Sequence, residues 1–253
     1  MESRRRLVIG RINPQAEKGR KRMFSYQASV EHRDGATTSV ALKMDCCVAA
    51  GYSGRNQAAV QAHIQELQQL GVAPPHATPA LYWISPNRLT SHERLVVVGE
   101  QTSPQVEFFL AADGNGTIYL TVASDHSDRE LESVSVAKSK QVCDKILGGR
   151  FWELAEVAAH WDELELSSRV IEDGHWLDYQ EGTLAEILHY DQLWNLIYED
   201  APVELSPCLF SGTIPLIPAG PVYTSACEIL LKDPVLRREI RKVYGITVLP
   251  DRS

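Results

Sequence analysis

From about Leu81 to Ala123 the chain is a succession of short apolar, β-branched and aromatic runs: "ALYWIS", "ERLVVVG", "QVEFFLA" and "TIYLTVA". Such runs, bounded by turn residues, read as strands. The last two are joined by "DGNG" at 113–116, where Asp-Gly and Asn-Gly tolerate the positive φ of a hairpin turn. Earlier, "KRMFSYQASVEH" and "TTSVALKMDCCVAAG" also read as strands. Strands outnumber helices and do not alternate with them. This excludes a doubly wound parallel sheet and predicts a β-rich α+β domain.

The clearest helix is "RNQAAVQAHIQELQQLG", whose apolar positions Ala59, Val60, Ile64, Leu67 and Leu70 share its face with His63, and which Gly71 ends. A short helix is expected from Asp128 to Gln141. Another short helix and a hairpin around "EDGH" are expected next, then an amphipathic helix over "TLAEILHYDQLWNLIYED". The tail "DPVLRREIRKVYGITVLP" has helix-like charge patterning but ends in a β-like run.

The 253 residues can bury a sizeable core. Residues 1–22, with "ESRRR" and "EKGRKR", form a basic arm read as a solvated tail, and 23–253 a single domain. A net charge of −8 disfavours nucleic acid and anionic membranes as partners. No apolar run approaches a membrane span, and no secretory leader opens the chain. The five cysteines make no C-x-x-C pair, which suits free thiols in a reducing, cytoplasmic setting. Cys143 follows two lysines that could activate it.

Four constellations could carry chemistry. Strand alternation puts Gln105 and Glu107 on one face, and the hairpin returns the chain to Asp125 at the partner strand's end. The three oxygen donors suit a hard cation, Mg2+ or Mn2+, with Ca2+ also compatible. The charged stretch "SDHSDRELE" that contains Asp125 has a plainer role as a helix start, capped and charge-matched to its dipole. His63 and Glu66 lie three apart on the predicted helix, either as a general-base pair or as a surface pair. "FSGTIP" offers hydroxyls and backbone N–H groups to an anion, or is an ordinary turn. In "AKSKQ", Lys138 and Lys140 could pair with a substrate carboxylate or with the acids, or end a helix in solvent.

The order of these pieces resembles the fumarylacetoacetate hydrolase superfamily. The resemblance rests on His63–Glu66 as H-x-x-E, Gln105-Val106-Glu107 as E-x-E, and "DHSDRE" from Asp125 as D-x-S-x-R-[DE]. "AKSKQVCDKILGG" and "SGTIP" follow in register, over roughly residues 45–220. It implies a mixed β-roll with few peripheral helices, usually a homodimer. It implies a divalent cation on Glu107 and Asp125 with Gln105 at the first acid, and catalysis by His63, Glu66 and Lys140. Arg129, Lys138, Gly212 and Thr213 would bind the substrate. The implied activity is metal-dependent hydrolysis or lysis of a small oxo-acid or β-diketo acid: C–C hydrolysis, decarboxylation or hydration through a metal-bound enolate. The alternative is a non-catalytic binding or assembly protein that keeps the fold. Gln105 in place of a Glu, and "ISP" without the family's Lys before Pro, favour that alternative.

Overall fold

The computed structural model describes residues 24–69, 73–202 and 204–252. The basic arm lies outside the described residues, as do Leu70 and the Gly71 helix stop. In chain order the elements begin with β1 (Ser25–Glu31), β2 (Thr37–Lys43), β3 (Cys46–Gly51), α1 (Gln57–Gln69), β4 (Ala80–Ile84) and β5 (Leu89–Thr90). Next come β6 (Arg94–Val98), β7 (Thr102–Ser103), β8 (Val106–Asp113), β9 (Ile118–Ser124), β10 (Ser127–Asp128), α2 (Arg129–Glu132) and α3 (Val136–Val142). They continue with β11 (Lys145–Leu147), β12 (Trp152–Glu153), α4 (Leu154–Val157), β13 (Glu165–Glu172), β14 (His175–Thr183) and α5 (Tyr190–Asp200). The last are β15 (Pro207–Phe210), β16 (Ala226–Asp233) and β17 (Arg238–Leu249).

Ten strands form a mixed sheet with the order β4-β3-β15-β8-β9-β11-β5, to which β1, β2 and β12 attach. Five more form a sheet ordered β14-β13-β16-β17-β6. The class is α+β, with mixed sheets curled into a half-barrel and few helices. The β8–β9 hairpin is the spine. Its alternate residues feed two cores. Phe108, Leu110, Leu120 and Val122 join Leu166, Ile229 and Tyr244 of the smaller sheet. Phe109, Ala111 and Ala123 pack on the opposite face with Val30, Cys208 and Phe210. A strand buried on both faces reads as a continuous apolar run, which is why "VEFFLAA" shows no alternation.

Two helix expectations are corrected, and the helix-like charge pattern of the tail gives no helix. The segment after Asp128 is two short helices, because Ser135 caps a second one by accepting the Lys138 N–H. The helix expected over 183–200 is only α5, preceded by a single 3-10 turn, Leu184–Glu186, that a Thr183/Glu186 capping box closes. Between them Leu188 N–H donates to Ser53 O and Ile187 O accepts from Arg55, so tertiary contacts hold the backbone extended. The tail is not helical anywhere: Arg237, at φ 55°, turns β16 into β17. Arg238 stacks 4.4 Å from the Trp152 ring centroid, and Ile240 and Tyr244 are buried on the strand's inner face.

Candidate active site

The antiparallel register of β8 and β9 pairs Glu107 with Ala123 and Val106 with Ser124. One step further, the Asp125 N–H donates to Gln105 O at 2.9 Å. Gln105 and Asp125 therefore stand across from each other, beyond Glu107 and Ala123 on the same face. Glu107 and Asp125 lie close enough for their charges to act on each other, and Gln105 is tied to Asp125 through the backbone. Among the described residues no group of three or more His, Cys, Asp or Glu side chains is gathered as for a metal ion. The third expected donor, Gln105, is an amide whose oxygen is of the hard type that suits Mg2+.

The sequence did not single out Lys145. On its other side β9 pairs with β11, Ile146 opposite Ser124 and Leu147 opposite Ala123. Continuing that register places Lys145 directly across from Asp125. Its Nζ lies 2.8 Å from Asp125 Oδ1, and it also donates to the His126 carbonyl. Lys140, from α3, donates to the other oxygen, Oδ2. Both lysines and the carboxylate are buried. No local signal marks Lys145: Leu147 packs in the same core as Ala123, but only the register of β11 with β9 gives Lys145 its direction.

These contacts set the electrostatics. Burial alone would raise the Asp125 carboxyl, but the ammonium groups of Lys140 and Lys145 hold it well below the usual carboxylate range. Glu107 goes the other way. Burial and the nearby Asp125 charge push it well above the ordinary value, against the pull of Lys140, the Gly212 N–H and Lys145. Burial would lower Lys140, but the charges of Asp125 and Glu107 raise it. Burial dominates at Lys145, whose affinity for its proton falls. His126, whose Nδ1 finds no hydrogen-bond partner, is pushed well down by burial and by Lys145 and Arg129.

Gly212 stands at φ +81°, and a Cβ there would meet Ser53 Oγ at 2.0 Å, so only glycine fits. Its N–H donates to Glu107 Oε2 at 2.8 Å. Thr213 Oγ1 donates to Val106 O and accepts from Gln180 Nε2, both at 2.7 Å. Ser211 Oγ accepts the Phe108 N–H and donates to Gly212 O. The groups expected to greet a substrate anion thus orient Glu107 and brace β8. Gln180 is a second residue the sequence did not mark. It accepts from Val106 N–H and Ser168 Oγ, and donates to Thr213 Oγ1 and Ile214 O.

Arg129 donates to Ser103 Oγ at 2.6 Å and pairs with Glu132 at 2.9 Å. Asp128 caps α2 by accepting the Leu131 N–H at 2.8 Å, so the charged stretch does start a helix as well as supply Asp125. Lys138 is exposed, two residues from the buried Lys140. His63 and Glu66 do pair, Nδ1 to Oε2 at 3.7 Å, but their side chains are 60% and 73% exposed. The His63 ring lies 6.4 Å from that of Tyr52, and the Tyr82 ring 6.0 Å from Lys140 Nζ. Cys143 is not activated by its lysines: burial pushes its thiol up to about 11.

The family described as "Protein of unknown function (DUF2848)" matches residues 50–244. No curated protein matches the chain. Among solved structures, the fold is similar to the "2-keto-3-deoxy-D-arabinonate dehydratase apo form" at 17% identity. The TM-score is 0.61, over 81% of this chain and 74% of that one. That dehydratase "complexed with magnesium and 2,5-dioxopentanoate" gives 17% identity and a TM-score of 0.60, over 83% and 76%. Cg1458 gives 12% and 0.60, over 89% of this chain and 100% of that one. At these identities the likeness is one of fold.

Proposed function

The chain belongs to the family described as "Protein of unknown function (DUF2848)", and we propose that it is a fumarylacetoacetate hydrolase-like enzyme, a divalent-metal-dependent lyase or hydrolase of a small oxo-acid. The observation that carries this is Lys140: a buried ammonium on Asp125, beside Glu107, at the strand ends where Gln105 also stands. Glu107 and Asp125 would hold the cation, with the Gln105 amide oxygen as a third donor. When bound, Mg2+ would supply Lewis acidity toward the substrate's oxo group. The similar dehydratase whose title names magnesium and 2,5-dioxopentanoate supports both the cation and the oxo-acid class.

The chain's own residues do the rest. Lys140 Nζ places fixed positive charge where an enolate-like oxygen would develop, in surroundings that do not screen it. Lys145 shares the Asp125 charge and keeps the carboxylate from turning away. Gly212 N–H fixes one oxygen of Glu107. Tyr52 and Tyr82 are the aromatic neighbours of His63 and Lys140. The His63–Glu66 pair is retained as the general-base proposal. A non-catalytic role is favoured by one observation: the Gly212–Thr213 turn spends its polar groups internally.

A panel of 2-oxo-3-deoxy sugar acids, acylpyruvates and oxaloacetate, assayed with Mg2+ and Mn2+, tests the proposal. Turnover of at least one compound is expected. It should fall by about 100-fold or more in Lys140→Met, the scale typical of losing one electrostatic stabiliser. Turnover unaffected in Lys140→Met, or none across the panel, would overturn it.

A further inference from the structure

Tyr52 holds a backbone conformation that an aromatic residue rarely adopts. Its φ is 56°, in the left-handed region where a bulky side chain is an outlier. Such a conformation persists only where the surroundings fix the chain. Here they do so through the residues that follow. Ser53 is buried, donates from Oγ to Ser211 O at 2.6 Å and accepts the Leu188 N–H at 2.8 Å. The Arg55 N–H donates to Glu186 O at 2.8 Å. Ser211 adjoins Gly212, whose N–H holds Glu107. The strained turn is therefore built on the segment that orients the buried carboxylate.

Tyr82 comes to the same place from β4. A Cβ at Gly51 would meet its ring at 2.8 Å, so the glycine lets that ring lie over the end of β3. The ring centroid is 6.0 Å from Lys140 Nζ, and the charges of Lys140 and Glu132 act on both phenols. Burial raises both, that of Tyr82 to about 12, so they stay protonated. Both tyrosines are half-buried, and neither hydroxyl makes a hydrogen bond among the described residues. Two neutral hydroxyls, each able to donate and to accept, thus stand near Lys140. Arg129, the guanidinium that could have met a second carboxylate, is taken up by Ser103 and Glu132.

We infer that Tyr52 and Tyr82 determine specificity: their hydroxyls receive a hydroxyl on the substrate's tail, so the site selects a hydroxylated oxo-acid with one carboxylate over its alkyl counterpart and over a dicarboxylate. This rests on the oxo-acid reading of the site and adds the chemistry of the tail. A hydroxyl returns both a donor and an acceptor to the phenols. An alkyl tail would strip their water and replace nothing, which is how a polar site rejects an analogue lacking the group it was built to bind. A second carboxylate would meet the charge of Glu132.

Three inert oxo-acid mimics test this by calorimetric titration, with and without Mg2+: N-ethyloxamate, N-(2-hydroxyethyl)oxamate and N-(carboxymethyl)oxamate. The proteins are wild type, Tyr52→Phe, Tyr82→Phe and the double variant, which keep both rings and are checked for folding by circular dichroism. Wild type should bind the hydroxyethyl compound about fivefold or more tighter than either of the others, the scale of one net hydrogen bond. Its preference over N-ethyloxamate should shrink in the single variants and fall to about one in the double variant. No preference in wild type overturns the inference, as does binding of the carboxymethyl compound as tight as that of the hydroxyethyl one. A full preference retained in the double variant, or in both single variants if the double does not fold, overturns it too. If wild type binds none of the three compounds, the oxo-acid reading itself falls and this inference with it, a pattern distinct from binding without preference.

Discussion

Asp125 and Glu107 are neighbours on one sheet face, yet their surroundings pull them apart. The Asp125 carboxylate is fully buried between two ammonium groups, and removing its charge leaves both uncompensated. Asp125→Asn should therefore cost roughly 3–5 kcal/mol at pH 7, the scale of breaking a buried pair from one side. The pH dependence has a definite sign. The carboxyl is held below its unfolded value of about 3.9, so its contribution is complete above that pH and is lost as pH falls toward the folded value. Urea melts from pH 7 down to about pH 2 should show the gap between wild type and mutant begin to narrow below about pH 4 and go on narrowing toward the acid end. A constant gap would mean that Asp125 is not paired as described. The placing of Glu107 near Asp125, with Gln105 across from it, was legible from strand alternation and a hairpin turn. Lys145 was not, because "KIL" is too short for its period to show and only the register with β9 gives it a direction.

At the scale of elements, the β8–β9 hairpin, β3, β15 and α1 were readable because local pattern and tertiary role agree. The tail was not. "RREIRK" has the charge spacing of a helix, but Arg238 is drawn inward by Trp152, Asp233 and Glu156, and β17 pairs along both sides. Tertiary pairing overrode a weak local preference. Gln180 shows the same limit for a side chain. One amide ties β14 to β8, to β13 and to the Ser-Gly-Thr segment through four hydrogen bonds. Gln180→Leu would leave buried donors and acceptors unmatched, at a cost on the order of 2–3 kcal/mol. It should also lower turnover through Glu107, whose Gly212 partner sits in the braced segment. Chemical denaturation and steady-state kinetics on the same preparation check both parts. A Leu variant as stable and active as wild type would show that the hub is dispensable.

For the whole molecule, the larger core takes residues from both sheets, with Trp152 and Trp161 buried in it. We therefore propose that residues 23–253 behave as one cooperative unit. Tryptophan fluorescence, which reports that shared core, and far-UV circular dichroism should give one coincident denaturation curve. Two separated transitions would divide the chain. No helix among the described residues is long and apolar enough to cross a membrane.

The strand order also sets a timetable for synthesis. β3 is made early, yet one of its neighbours is β15, and the edge strand β6 waits for β17. On the ribosome, Val48 and Phe108 emerge long before Leu209 and Tyr244 arrive to cover the same core. The nascent chain must carry apolar, half-paired strands until nearly its last residues are translated. Such intermediates are the ones that aggregate. Yield in a cell should depend on elongation rate and on chaperones that shield β-strands, more than on the stability of the finished protein.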